Sequence, residues 1–469
     1  MIRKAGYLGV GVVLGAAAAA TAPQMLMFAS PAAYAAAADT YRQLNLFGDV
    51  FDKIRNDYVE KPDESKMIEA AINGMLSSLD PHSSYMDAKS FRDMQVQTKG
   101  EFGGLGIEVT QEDGLLKVVT PIDDTPAAKA GVLSGDIITA IDDTSTQGLT
   151  LDQAVEKMRG SINSPVKLKI VRGAKKDVKD FTIVRDLIHV QSVRSHVEDG
   201  DIGYIRITQF TEQTGDGLKS AMEKLHSEIP ADKFKGYILD LRNNPGGLLD
   251  QSIDVVNSFV DRGEIVSTRG RTADETQRFD AKPGGDLSGG KPLVVLINGG
   301  SASASEIVSG ALQDHKRATL IGTRSFGKGS VQTIMPLGEN GALRLTTARY
   351  YTPSGRSIQA KGIEPDVKVL EDVPDDLKGK DDMKGEASLK GHLANGAEDT
   401  SASQAYVPPN EKDDKQLTAA IDLLHGVKLP EPAVKADAAP AKSDAATAAA
   451  PATSPAPTDP GQAAPAKPN

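Results

Sequence analysis

Residues 298–306 have the sequence NGGSASASE and follow an apolar run at Leu293–Ile297. A helix-like pattern continues from Glu306 to His315. The two glycines allow the backbone to bend tightly between a strand and a helix, and the small side chains leave the turn open. The N–H groups and partial positive charge at the start of the following helix can stabilise an oxyanion. The stretch therefore predicts a strand–turn–helix unit that holds a serine nucleophile.

A candidate general base lies downstream, in the Gly-rich segment TRSFGKGSVQ at 323–332. Lys328 stands there between Gly327 and Gly329, which lets the backbone pack closely around an inward-pointing side chain. In water a lysine amine has a pKa near ~10.4 and is protonated at neutral pH. Burial must lower that pKa to about 7–8 before the amine can accept a proton from serine. A phosphate-binding loop is excluded, because glycine follows Lys328 where that motif needs serine or threonine.

Other interpretations of these residues were weighed. The alternating serines at 301, 303 and 305 could serve only as helix caps. A histidine triad through His315 is excluded, because 12 positions along one helix separate it from Ser303 by about 18 Å. A penicillin-recognising enzyme needs lysine three residues after the serine, where this chain has Glu306. His82, after an Asp-Pro pair, is interpreted as a turn residue in preference to a ligand.

A third element, DLRNNPGG at 240–247, ends another apolar strand. Its Pro245-Gly246-Gly247 sequence predicts a tight turn with unobstructed backbone N–H groups. An oxyanion hole needs such groups. This turn is therefore the predicted partner of the serine-bearing turn.

The composition narrows the class of protein. The net charge is −11 over 469 residues and no long Lys/Arg run occurs, so nucleic acid is not an expected partner. The chain has no cysteine, which excludes thiol catalysis and disulfides. Arg3 and Lys4 precede an apolar stretch, and Ala33-Tyr34-Ala35 supplies a cleavage pattern, so residues 1–35 are predicted to be a signal peptide. The alternative is an uncleaved membrane anchor facing the periplasm. Either way the body is expected in the periplasm or secreted.

The hydrophobic periodicity and the composition change several times along the chain, which predicts separate regions. Helical spacing covers 40–99, and short β-branched runs between Gly/Pro turns predict a small β domain at 100–186. Alternating strands and helices predict an α/β core at 187–370. A charged linker, interpreted as a surface loop, and a helix at Lys415–Leu424 fill 371–428, and an Ala/Pro-rich tail at 429–469 is predicted to be disordered.

The small β domain carries a peptide-binding pattern. GGLGI at 103–107 is a Gly-rich turn before a strand edge, and TPAAKAGVL at 125–133 is followed by GDII at 135–138. Together these segments resemble a PDZ domain of the circularly permuted bacterial kind. The resemblance implies that the N–H groups of Leu105, Gly106 and Ile107 bind the C-terminal carboxylate of an extended peptide.

The three loops together resemble the C-terminal processing peptidase family, also called tail-specific proteases. The likeness runs from about 44 to 369 and includes LDPHSSY at 79–85 and RYYTPSGRSIQAKGIEPDV at 349–367. It implies a multidomain α/β chain: an N-terminal helical segment, an inserted PDZ domain and a crotonase-like protease core. It also implies a serine endopeptidase that needs no cofactor or metal. The runner-up function is a non-catalytic peptide-binding scaffold.

The resemblance assigns roles residue by residue. Ser303 is the implied nucleophile, Lys328 the general base, and Gln332 hydrogen-bonds and orients the lysine. The implied oxyanion hole joins the N–H of Ala304 to that of Gly246 or Gly247. Asp314 has a catalytic role in some relatives, and Arg159 could link peptide binding to the core; each is also explained as a solvated side chain near a helix end. Expected partners are proteins with exposed, apolar C-termini, with a second copy of the chain and an envelope adaptor protein as further candidates.

Overall fold

The computed structural model describes residues 31–428 except 113, 123, 174–176, 376, 379–381 and 397. Most of the predicted signal peptide and the whole Ala/Pro-rich tail lie outside the described residues. Among those that are described, no helix combines the length and apolarity that crossing a membrane requires.

The N-terminal region is helical, as its spacing predicts. Asp63 caps one helix and Asp87 another, each accepting a backbone N–H three residues on. The apolar faces are only partly covered, however: Phe47 on the first helix is 52% exposed, and on the second helix Met75 is 66% exposed while Leu76 is buried. Helical periodicity identifies an apolar face but not what covers it. The elements are α1 Pro31–Asp57, α2 Glu64–Ser77, β1 Ser84–Met86 and α3 Ala88–Lys99.

The small β domain forms a sheet of order β3-β4-β5-β7-β8, with β6 paired to β5. Alternating burial along β7 places Val166, Leu168 and Ile170 in the domain's own core. Strands β2 and β9 pair antiparallel where the chain enters and leaves the domain. The elements are β2 Glu101–Gly104, β3 Ile107–Glu112, β4 Leu115–Pro121, α4 Pro126–Ala130, β5 Ile137–Ile141, β6 Thr144–Ser145, α5 Leu151–Met158, β7 Pro165–Arg172, β8 Asp177–Val184 and β9 Asp186–His189.

The core is built on a sheet of order β10-β11-β12-β15-β16-β19, parallel from β11 onward. Strands β12 and β15 are buried along their whole length, as parallel strands covered on both faces are. The DLRNNPGG turn and the NGGSASASE turn begin at the carboxyl ends of these two neighbouring strands. The elements are β10 Val193–Glu198, β11 Ile202–Ile207, α6 Thr214–Glu228, β12 Gly236–Asp240, α7 Leu249–Asn257, β13 Glu264–Arg269, β14 Gln277–Asp280, β15 Leu293–Ile297, α8 Ala304–Asp314, β16 Thr319–Gly322, β17 Ser330–Pro336, β18 Ala342–Tyr351 and β19 Val367–Lys368.

A second sheet joins the N-terminal region to the core. Strand β18 pairs with β1, β13 and β17, and β13 also pairs with β14. Because β17 begins just after Lys328, this sheet carries the loop of the predicted base. Strand β1 belongs to the LDPHSSY segment, so that segment is anchored beside the same loop.

The segment after the core is not a simple surface loop, which corrects part of the sequence interpretation. Glu386 is 1% exposed, and Glu371 is 5% exposed. Both glutamates are buried by residues that are far away in the sequence, and the local composition does not reveal such contacts. The elements are β20 Asp382–Lys384, β21 Ala402–Gln404 and α9 Lys415–Leu424; the last helix was predicted.

Candidate active site

Ser303 occupies a strained turn between β15 and α8. It caps the helix with φ 55° and ψ −112°, a conformation that residues other than glycine rarely adopt. Its side chain is largely buried, at 7% exposure for the residue. Strain of this kind costs about 1–3 kcal/mol and persists only where surrounding contacts enforce it. The turn therefore presents one serine in a fixed orientation, as the glycine-rich sequence predicts.

The serines on either side of Ser303 provide that support. Ser301 Oγ donates to Leu241 O at 2.9 Å, and Ser305 Oγ donates to Asn244 O at 3.0 Å. Both bonds tie the nucleophile turn to the DLRNNPGG turn. The alternating serines thus divide into one at the site and two that fasten it.

The glycine turn lies directly against the nucleophile. A Cβ built on Gly246 would come 2.8 Å from Ser303 Cβ and 3.0 Å from Ala304 N. Gly246 N itself donates to Asn244 Oδ1 at 2.9 Å. Among the described residues, no acceptor takes the N–H of Gly247 or that of Ala304. Of the two predicted glycines, Gly247 is therefore the one with a free donor.

Glu306 connects the nucleophile turn to the loop of the predicted base. This fully buried carboxylate accepts the N–H of Ser303 at 2.8 Å and that of Lys328 at 2.9 Å through the same oxygen. Its other oxygen accepts Gly327 N at 2.7 Å and the hydroxyl of Ser325. One carboxylate thus holds the backbone of both predicted catalytic residues.

The electrostatics of the two buried groups differ. Burial raises the pKa of Glu306 to about 7, although its four hydrogen bonds favour the ionised form. Burial lowers the pKa of the half-buried Lys328 amine from its ordinary value. Within the described part of the chain, Lys328 Nζ forms no hydrogen bond or ion pair. A neutral amine with a free lone pair is what a general base requires.

Gln332 does not orient Lys328 in this structure, contrary to the expectation. Gln332 Nε2 donates to Ser330 Oγ at 2.9 Å and to Thr346 Oγ1 at 3.2 Å. In the described structure, no hydrogen bond joins the side chains of Gln332 and Lys328. A register shift between Val331 and Gln332 in the β17–β18 pairing changes the direction of the side chain. Gln332 instead fastens the strand that follows the base.

Asp314 is not part of this site either. It ends the helix that Ser303 begins, about 16 Å away by helical rise. It forms an ion pair with Arg356 and accepts Ser354 N at 2.9 Å. Although burial opposes ionisation, hydrogen bonds from Thr352 and Ser354 prevail and lower its pKa. Its role in the structure is to hold the turn after β18.

The predicted peptide site is a turn with unused donors. In the described structure, the N–H groups of Leu105 and Gly106 have no acceptor, while Gly106 O accepts Ile122 N at 2.9 Å. Gly106 has φ 73°, and a Cβ there would lie 2.3 Å from Thr125 Cβ, so only glycine fits. Arg159 lies with its guanidinium carbon 4.6 Å from the ring centre of Phe102 on β2. Its side chain therefore contacts the strand that enters the domain.

Comparison with known proteins identifies the family. Residues 201–369 match peptidase family S41, 117–172 match a PDZ domain, and 12–90 match the N-terminal domain of the activating protease CtpB. The chain is 57% identical over 428 residues to a carboxy-terminal-processing protease of Bartonella bacilliformis, covering 91% of this chain and 96% of that protein. The chain belongs to peptidase family S41.

Further members of the family show the same likeness. The carboxy-terminal processing protease CtpA of Bacillus subtilis is 37% identical over 329 residues, 70% of this chain and 69% of that protein. The solved photosystem II D1 C-terminal processing protease is 29% identical with a TM-score of 0.41, covering 71% of this chain and 95% of that one. The family-model matches and the Bartonella and Bacillus sequences confirm the predicted family, the fold class of the described regions, and a serine-type peptidase with a PDZ domain.

Some residues of this S41 peptidase escaped the sequence interpretation. His82 Nε2 donates to the Glu386 carboxylate and lies 2.8 and 3.0 Å from its two oxygens, so His82 does more than terminate a turn. Asp80 accepts Ser83 N at 2.9 Å and Thr346 Oγ1 at 3.0 Å. The signal that could have identified both is their place in the LDPHSSY segment. A different cluster, His196, Glu198 and Glu411, has ligand atoms within 4.8 Å of one another, but His196 and Glu198 already hydrogen-bond each other at 2.9 Å.

Proposed function

We propose that this chain is a secreted serine endopeptidase that cleaves envelope proteins near their C-termini with a Ser303–Lys328 dyad. The observation that carries the proposal is the Glu306 carboxylate, which accepts the backbone N–H of both residues. Phe326 N also donates to Ser301 O at 2.9 Å, so the two loops are joined directly as well. Loops fastened to each other in this way can keep a nucleophile and its base in register.

The proposed chemistry needs only residues of this chain. Neutral Lys328 takes the proton from Ser303 Oγ as that oxygen attacks the peptide carbonyl, and returns it to the leaving amine. The N–H groups of Ala304 and Gly247 stabilise the oxyanion, because neither donor has an acceptor among the residues that the structure describes. Water, deprotonated by the same amine, then hydrolyses the acyl-enzyme. Gln332 acts as a positioning residue through Ser330 and Thr346.

The PDZ domain supplies the preference for chain ends. We infer that Leu105, Gly106 and Ile107 bind the terminal carboxylate of an extended apolar tail through their backbone N–H groups. Arg159, stacked on Phe102, connects the end of α5 to the β2–β9 pair that leads to the core. Binding of a peptide tail can therefore alter the β2–β9 pair and, through it, the rate of turnover.

The remaining assignments complete the proposal. Residues 1–35 direct the chain out of the cytoplasm, 40–99 form the helical region, 100–186 the PDZ domain, 187–370 the peptidase core and 371–428 the segment that packs onto it. The exposed apolar face of α1 is a candidate contact for a second copy of the chain or an envelope adaptor protein.

A cleavage assay with matched variants tests the proposal. The purified protein is incubated with a denatured protein that ends in an apolar tail, and fragments are followed by mass spectrometry. Ser303→Ala and Lys328→Ala should abolish cleavage. Ser227→Ala on α6 and Lys361→Ala on a neighbouring loop should retain it, since Ser227 Oγ bonds only within its own helix and both side chains are exposed. Cleavage that survives both catalytic substitutions would refute the dyad.

A further inference from the structure

Glu386 is a buried carboxylate that packs against the base loop from outside the matched peptidase region. It lies beyond residue 369, where the S41 match ends, and is 1% exposed. Its backbone N–H donates to Phe326 O at 2.9 Å. Phe326 lies two positions before Lys328, so this bond holds one side of the loop.

The side chain of Glu386 reaches the other side of the same loop through Gln359. Gln359 Nε2 donates to Glu386 Oε1 at 2.9 Å, and Gln359 Oε1 accepts Gly329 N at 3.1 Å. Lys328 is therefore flanked by two attachments that both lead to Glu386. The lysine side chain itself takes no part in either.

His82 completes the environment of the carboxylate. Its Nε2 lies 2.8 and 3.0 Å from the two Glu386 oxygens, and its own backbone N–H is held by Asp80 Oδ1 at 2.8 Å. A buried carboxylate is costly unless donors satisfy it, and within the described residues His82 and Gln359 are its side-chain donors. The LDPHSSY segment thus supplies the imidazole that keeps Glu386 in place.

Glu386 also acts on the amine by its charge. Burial lowers the pKa of Lys328, and among nearby charges Glu386 opposes that effect most strongly, with Glu306 and Asp80 acting in the same direction and Arg344 in the opposite one. His392 Nδ1 donates to Leu389 O and its Nε2 is paired with Glu398 at 3.0 Å, and these contacts raise the pKa of His392, with a smaller contribution from the charge of Glu386. These groups, together with His82, are the charges that face the two side chains.

We propose that Glu386, held by His82 and Gln359, is a positioning residue for Lys328: it fixes both sides of the base loop and maintains the proton affinity of the amine. The proposal deepens the function proposed above and rests on Lys328 being the general base. A base that loses too much proton affinity becomes a weaker base, so a negative charge beside a buried amine keeps it effective. Glu386 then supports the base loop from outside the matched peptidase region.

The test separates charge from position. Full-length protein is labelled with carbon-13 at the lysine ε position, the Lys328 resonance is assigned by its loss in Lys328→Ala, and its titration is followed by NMR. Glu386→Gln should lower the titration midpoint of Lys328 by about one pH unit, because one nearby charge is removed. The same variant should lower kcat on a tailed peptide about tenfold while KM stays unchanged.

A second variant removes one attachment without changing the charge. Gln359→Met should lower kcat by about tenfold through looser positioning and leave the Lys328 titration in place. Glu198→Gln, which breaks a comparable Glu–His pair on β10, is the matched control and should change neither quantity.

Each outcome decides the matter. An unchanged Lys328 midpoint or an unchanged kcat in Glu386→Gln overturns the proposal, as does wild-type kcat in Gln359→Met. If Glu386→Gln does not fold, Gln359→Met still decides the positioning claim. Activity that survives in Lys328→Ala would overturn the proposed function as well, whereas an inactive Lys328→Ala beside a normal Glu386→Gln would overturn only this inference.

Discussion

Replacing Glu306 by glutamine should inactivate the enzyme while leaving it folded. The carboxylate accepts hydrogen bonds from Ser303 N, Ser325 Oγ, Gly327 N and Lys328 N. Glutamine offers one oxygen, so its NH₂ group must face one pair of donors. The substitution therefore changes the side-chain volume very little but removes the acceptor of two hydrogen bonds.

The size of the effect follows from that geometry. Leaving two buried donors without acceptors costs about 2–6 kcal/mol, at about 1–3 kcal/mol each, and removal of a buried charge offsets part of this. A displacement near 1 Å between nucleophile and base can cost about 100-fold in rate. We therefore expect kcat/KM to fall at least about 100-fold in Glu306→Gln.

Glu371 provides the matched control. It is another buried glutamate, and its carboxylate accepts the backbone N–H groups of Lys415 and Gln416 at 3.0 and 2.8 Å. Glu371→Gln should lose about 1–3 kcal/mol of unfolding free energy, because one donor loses its acceptor. It should keep its kcat/KM, since among the described residues Glu371 forms no hydrogen bond with either site turn or with the base loop.

The stability of Glu306→Gln should also depend on pH in a defined way. Burial raises the pKa of Glu306 to about 7, so between its unfolded value near ~4.5 and about 7 the folded state binds the extra proton. Stability from this group therefore falls as pH rises, and the wild-type advantage over the variant should shrink by about 3 kcal/mol from about pH 5 to about pH 8.

Urea unfolding and kcat/KM on a tailed peptide, measured for both variants, give the comparison. Equal activity losses in Glu306→Gln and Glu371→Gln would refute the reasoning, because the effect would then come from lost stability alone. A fully active Glu306→Gln would refute it too.

Other predictions use the same assays. Gly246→Ala should lower kcat/KM at least about 100-fold, because its Cβ would lie 2.8 Å from Ser303 Cβ. Gly355 also has a positive φ but has open space around it, so Gly355→Ala should lose only about 1–2 kcal/mol of stability and no activity. Similar activity in the two variants would contradict the steric account. Activity should rise with pH through about 7, where Glu306 ionises, and the neutral Lys328 amine that the mechanism needs acts in the same direction; a profile flat across about pH 5–8 would be inconsistent with the role of Glu306. Asp314→Asn should lower the unfolding free energy by breaking the Arg356 pair while kcat stays near wild type; a large loss of kcat at unchanged stability would restore a catalytic role for Asp314.

Sequence patterns predicted the local elements well for a physical reason. The runs at Val166–Val171 and Leu293–Ile297 are strands, and 304–314 is a helix, because short-range periodicity and turn glycines determine them. The two turns at the carboxyl ends of β12 and β15 were likewise visible as Gly-rich breaks after apolar runs. Parallel neighbours bring such ends together.

Long-range contacts were not predictable in this way. His82 and Glu386 are 304 positions apart, and nothing local distinguishes a charged residue in a Gly-containing stretch from a buried one. The direction of Gln332 depends on a register shift that sequence spacing does not reveal. Spacing alone also could not separate Gly246, whose N–H is taken by Asn244, from Gly247.

The central claim is that Ser303 is a nucleophile activated by Lys328. The most direct measurement is the rate and position of labelling by a fluorophosphonate reagent, followed by intact-protein and peptide mass spectrometry. The account predicts a single adduct on Ser303 whose formation slows at least about 100-fold in Lys328→Ala. An adduct on another residue, or equal labelling rates with and without Lys328, would contradict it.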